Sequence, residues 1–211
     1  MKKYTWLIAL LLAASGTFAE TTTLDASIEK LQQDWAMAFY QIPKNEKKAA
    51  FKKLVKEAHE VTIAHPGRAE SLIWEGIITS SLAKYQSIFS AGGTAKAARD
   101  LLLAAEEIDA NALNGSALTS LGSLYYKVPR FGSFGDHDKA YEYLERALKV
   151  NPDGIDPNFF MGELMVERGD RVKALEYFKK AQNAPARPGR EVADTGRMAE
   201  IEAAIRKIEE E

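Results

Sequence analysis

The chain has no cysteine. That excludes disulfides, thiolate metal sites and thiol nucleophiles, and it excludes acylation at a lipoprotein-type cleavage site. Histidine is nearly as scarce: His59, His65 and His137 stand far apart in the sequence. Asp136-His137-Asp138 has metal-ligand chemistry, but a helix cap with a solvated first turn accounts for it, since carboxylates favour helix N-termini. No metal site is expected. No run of residues alternates apolar and polar as a half-buried strand would. There is no Walker loop, no GxGxxG after a strand and no GxSxG elbow. Gly132-Ser133-Phe134-Gly135 has GxxG spacing without the basic surroundings of an RNA-binding loop. Serines are plentiful, yet none sits beside a readable base. The expectation is no catalytic residue, no cofactor and no enzyme.

Long apolar runs are also lacking, with one exception at the N-terminus. Lys2 and Lys3 precede the apolar stretch Trp6–Ala14, and Thr17-Phe18-Ala19 places small residues at −3 and −1 of a cleavage site. This is the pattern of a secretory signal peptide over 1–19. The apolar run is about half of the ~20 residues a membrane span requires. The mature chain, 20–211, is expected to be a single domain in the periplasm with no stable membrane insertion. Loss of Lys2 and Lys3 takes the formal charge from −2 to −4. Such a balance gives no global attraction for nucleic acid or anionic lipid.

What the chain does have is helix. All seven prolines fall between apolar-periodic segments, where the missing N–H does no harm. The segments between them are rich in Ala, Leu, Glu and Lys, strong helix formers. The pattern predicts helices over about 24–41, 44–64, 68–87, 95–108, 115–127, 137–150, 157–168, 171–183 and 191–208. Asp136 and Asp170 are placed to cap two of them.

Three of these segments repeat. Lys139-Ala140 leads to Leu144 and Ala147, then Asn151-Pro152. Lys173-Ala174 leads to Phe178 and Ala181, then Pro185. Lys96-Ala97 leads to Leu101 and Ala104, then Ile108-Asp109. The alanines keep the helix surface thin, and the large residue fills the gap to the helix before it. Met161-Gly162 with Met165, and Leu121-Gly122 with Tyr125, supply the preceding helices; Gly76 pairs with Ala97 in an earlier copy. The Ala140-to-Ala174 spacing is 34 residues, the period of a tetratricopeptide repeat (TPR). The 97-to-140 spacing is 43, so the insertion at 127–135 must be accommodated there, and the Gly76-to-Ala97 step carries further extra residues near Ser87–Ala95. The fold expected is therefore all-α, a TPR-like α-solenoid of antiparallel helix pairs, with regular repeats over about 115–186. The helix at about 191–208 carries Val192, Met198, Ile201, Ala204, Ile205 and Ile208 on one stripe with charges behind. It is expected to cap the last repeat.

Two stretches go beyond a generic TPR: Tyr125–Asp136, and Asn151-Pro152-Asp153-Gly154-Ile155-Asp156-Pro157-Asn158 together with Arg187-Pro188-Gly189-Arg190. Over about residues 68–205 the chain resembles the T component associated with tripartite ATP-independent periplasmic (TRAP) transporters. The resemblance implies a periplasmic accessory that binds a solute-binding protein, and a small apolar or organic-acid ligand in an internal channel. Relatives can be lipoproteins; this chain lacks the cysteine for it.

In a TPR array the first helices of the pairs line the concave face. The candidate binding residues are Tyr126, Lys127, Arg130, Phe131, Phe134, Phe159 and Glu163. Phe159 and Phe160 cannot both face the core, so one is expected in the groove. The 127–135 insertion adds Arg130, Phe131 and Phe134 where a TPR needs only a tight turn, and long ordered loops are disproportionately functional. Such a loop either binds or plugs a gap; the expectation is one Phe inward and the other on the groove. The cations at Arg187 and Arg190 precede a helix N-terminus, where the dipole disfavours them, and Glu191, Asp194 or Asp153 could compensate. Two functions follow. A docking scaffold would leave its groove open and polar; a small-molecule carrier would line it with aromatics and close it.

Overall fold

The structure is a computed structural model that describes residues 12–210, with side chains described from Leu24 onward. Among the described residues nine α-helices occur and no strand. They are α1 (Leu12–Ala36), continuing directly into a π-helical segment Met37–Gln41, α2 (Lys44–Ala64), α3 (Ala69–Lys84), α4 (Ile88–Asp109), α5 (Ala112–Lys127), α6 (His137–Val150), α7 (Ile155–Glu167), α8 (Arg171–Gln182) and α9 (Glu191–Glu210). The expected leader falls largely on residues outside this description. Asp136 and Asp170 cap as expected: the Asp136 carboxylate accepts from the backbone N–H groups of Asp138 and Lys139 at 3.0 and 3.1 Å, and that of Asp170 accepts from Lys173 at 3.1 Å.

Consecutive helices pack as antiparallel pairs, most extensively α3 with α4, α5 with α6 and α7 with α8. The close approach comes from glycine on one helix facing a large residue on the other. A Cβ on Gly122 would lie 2.5 Å from Leu144, one on Gly162 2.7 Å from Phe178, and one on Gly76 2.7 Å from Leu102. Ala140, Ala147, Ala174 and Ala181 are fully buried beside these contacts. The third repeat corrects the expected register by one residue. Ala98, Leu102 and Ala105 are buried, whereas Ala97 is exposed. The extra residues before it are not a loop: α4 simply starts earlier, at Ile88.

The first helices of the pairs also touch one another, α1 with α3, α3 with α5 and α5 with α7, and so form an inner layer. The second helices lie outside it. One feature departs from a simple capped array. After packing on α8, α9 also contacts α7, α1 and the π-helical segment. The two ends of the solenoid are joined by the chain's own last helix. Ile201 is buried in the cluster of the C-terminal repeats, while Ala193 is buried in the N-terminal cluster with Trp35, Phe51 and Trp74. The expected cap on the last repeat is present, but it is also a bridge across the concave face.

Candidate binding site

Two aromatic-rich contacts hold α9 in place. At its N-terminal half, Gly196 lies under the ring of Tyr40, and a Cβ there would come within 2.3 Å of that ring. The π-helical widening delivers Phe39 and Tyr40 together at this point, and Tyr40 donates a hydrogen bond to Glu200 at 3.1 Å. Beside it, Arg197 is only 7% exposed. Its guanidinium donates to Asp156 at 2.9 Å and to Glu200 at 2.7 Å, and lies over the rings of Phe159 and Phe160. Asp156 also accepts from Arg187 at 2.6 Å, and Arg187 is held at 2.7 Å by Asp194. Asp194 is thus the compensating acid expected for this turn, joined by Asp156; Asp153 takes no part in these contacts. Burial alone would raise the Asp156 pKa. The two guanidiniums outweigh burial and hold its carboxyl well below the usual range.

Of the residues singled out from sequence, the structure brings three together. Tyr126 donates to the Glu163 carboxylate, which also pairs with Lys127 at 2.9 Å. Burial, and then Glu163, push the Tyr126 hydroxyl well above its ordinary pKa. Lys127 lies 4.9 Å from the centre of the Phe160 ring. Phe160 is the partly exposed member of the pair. Phe159 is 4% exposed and packs on Phe178, so its placement in the groove is corrected to a core role. In the 127–135 insertion Phe134 does turn inward, against Tyr125 and under Arg99. Phe131 is 99% exposed and sits on the outer edge rather than on the groove, with Arg130 exposed beside it. The loop's backbone is tied down by the hydrogen bond from the Asp136 N–H to the Tyr125 carbonyl at 2.8 Å.

None of the candidate binding residues named from the sequence lines the cavity beside α9. It has a volume of about 780 Å³ and lies between the π-helical segment, α2, α3 and α9. Phe39, Tyr40 and Tyr85 wall it, Gly196, Ala199 and Ala203 form its α9 side, and Lys47, Lys84, Glu191 and Glu200 supply charge. Lys84 lies 4.7 Å from the Phe39 ring centre and Lys47 5.6 Å from it, facing the same ring. Lys47 also donates to the Phe39 carbonyl. Neither lysine forms an ion pair among the described residues. Burial, followed by the charges of Lys127 and Lys47, lowers the proton affinity of Lys84. The one sequence signal for this site is Gly196-Arg197, a glycine and a cation inside the otherwise apolar stripe of α9. No group of three potential metal ligands occurs among the described residues, and no described helix is long and apolar enough to cross a membrane.

No protein-family model matches the chain, and no curated protein does. Solved structures do match. TTC0263, a thermophilic TPR protein of Thermus thermophilus, is 14% identical over 85% of this chain and 99% of its own, with a TM-score of 0.56. Two crystal structures of MamA align with 23% and 22% identity over 68% and 72% of this chain and 94% and 91% of theirs, with TM-scores of 0.35 and 0.36. At these identities the first likeness shows the fold alone: the chain is an all-α, TPR-like solenoid.

Proposed function

We propose that this chain is an exported, periplasmic TPR-type binding module whose ligand site is the aromatic cavity between the π-helical segment, α3 and α9. The observation that carries the reading is that α9 occupies the concave face where a TPR array would lay a peptide. Beside it lies a recess of about 780 Å³, a size typical of small-molecule sites. Aromatic walls favour a flat or apolar body. Lys47 and Lys84, which form no ion pair among the described residues and face one ring, favour a carboxylate at its end. The reading is thus a carrier for a small organic acid. This fits the resemblance to the TRAP-associated T component, and in that setting a solute-binding protein would be the macromolecular partner. Docking of such a protein is the second reading, favoured by the cavity's open mouth, where Lys47 and Lys84 would meet an acidic partner surface.

Native mass spectrometry of the chain purified from the periplasm separates the two. The carrier reading expects a small acid retained by the wild type and absent from Lys84→Ala. A bare mass in both, with a protein co-purifying through the same lysines, would replace it with the docking reading.

A further inference from the structure

The antiparallel order of the solenoid puts the turns within pairs on one edge and the turns between pairs on the other. Two contacts show the alignment of the first set. Arg168, in the α7–α8 turn, donates to the His137 carbonyl at 2.7 Å at the start of α6, and Arg99 of α4 lies over Phe134 of the α5–α6 loop. The four most exposed large apolar side chains among the described residues all belong to this edge: Phe131 (99%), Phe89 (98%), Ile88 (89%) and Val172 (71%). Ile88 and Phe89 open α4, about 16 Å beyond Arg99 at the ~1.5 Å rise of a helix, so they project past the body of the repeats. The turns of this edge, residues 41–48, 84–96, 127–139 and 167–173, together hold more basic than acidic side chains. Those of the opposite edge, 60–70, 104–114, 149–156 and 179–194, together hold more acidic than basic ones. The overall charge of −2 conceals this division. Moreover, Asp136 is used as a cap and Asp138 pairs with Arg168, while Lys96 and Arg130 form no ion pair among the described residues.

We propose that this edge docks on an anionic lipid bilayer surface, with Ile88, Phe89 and Phe131 entering the interface and the surrounding lysines and arginines meeting the headgroups. The apolar residues stand on separate turns and do not merge into a groove. A folded protein partner would need a preformed pocket for each; a bilayer surface yields to isolated side chains and offers a continuous layer of negative charge. Apolar insertion and cationic attraction together are what reversible surface binding requires. This mode is peripheral and independent of the cavity between the π-helical segment and α9.

The test is flotation of the full chain with phosphatidylcholine vesicles, with and without phosphatidylglycerol. Binding is expected to rise with phosphatidylglycerol and to fall with added salt. Phe89→Ser and Phe131→Ser each weaken it by roughly tenfold, the effect of withdrawing one large apolar side chain from an apolar environment. Lys96→Glu with Arg130→Glu removes the phosphatidylglycerol preference. Ile63→Ser and Ile108→Ser, at the opposite edge, change nothing. The variants differ only in the substituted residues, so the differences report the edge alone. Because the chain lacks cysteine, a polarity-sensitive dye on Ser90→Cys reads the contact directly: its emission shifts to the blue with anionic vesicles, whereas a dye on Glu107→Cys does not shift. Equal flotation of all variants, or a dye on Ser90→Cys that stays in water, would overturn the proposal. Edge-dependent capture of an acidic protein without vesicle binding would also overturn it, in favour of a protein partner.

Discussion

At the residue scale, the repeat is readable wherever one alanine and one large residue stand alone. Ala140-Leu144-Ala147 and Ala174-Phe178-Ala181 are buried as the spacing requires. In the third copy the sequence repeats each of them, Ala97-Ala98, Leu101-Leu102-Leu103 and Ala104-Ala105, so periodicity alone cannot choose the register. Only Gly76, which needs Leu102 at its surface, fixes it. Ala98→Leu should therefore destabilise by about 1–3 kcal/mol, the usual cost of overpacking, while Ala97→Leu stays within about 0.5 kcal/mol. Urea denaturation of the two variants checks this; equal losses would restore the first register. The insertion divides in the same way. Phe134→Ala should lower stability by roughly 1–2 kcal/mol, less than a full core truncation because the ring is half-buried. Phe131→Ala should leave stability within about 0.5 kcal/mol.

At the element scale, the helices are legible almost throughout, because proline placement and strong helix formers agree with the 3.6-residue period. The π-helical step at Met37–Gln41 is not, since a one-residue widening leaves no periodic trace. The role of α9 is half legible. Its apolar stripe announces a cap, but Arg197 in that stripe is the sign that it meets a partly buried acid. Arg197→Met removes that cation from Asp156 and should cost about 3 kcal/mol, toward the low end for a buried pair because the Asp156 side chain stays 27% exposed. The same pair predicts a pH dependence. A carboxyl whose pKa is depressed in the folded state adds stability above its unfolded pKa, near about 4, and loses it as pH falls through that value toward the folded one. The stability gap between wild type and Asp156→Asn should thus be widest near neutrality and narrow below about pH 4. A gap that stays constant from neutrality into that acid range would mean that the Asp156 charge does not anchor α9.

At the scale of the whole molecule, the TPR pattern could place Tyr126, Lys127 and Glu163 on the inner side, because it assigns them to the sides of first helices not used against the second helices. They could not place the cavity, whose two sides are contributed by residues as distant as Tyr40 and Glu200, 160 positions apart. Nor could net charge reveal that the two edges of the solenoid differ in sign. Both follow only once the array is wound and closed. The closure is the central claim, because it converts an open TPR groove into a recess walled by α9. It is tested most directly by replacing Tyr40 and Gly196 with cysteine in a chain that has none of its own. A Cβ on Gly196 would lie 2.4 Å from Tyr40 Cγ, one bond from the Tyr40 β-carbon, so the two β-carbons come within about 4 Å, a separation a disulfide spans. Mild oxidation should give a rapid, quantitative intramolecular disulfide at low protein concentration, and neither single variant should form one. Two free thiols under those conditions, or only intermolecular dimers, would show that α9 does not cross to the first helix and that the groove is open.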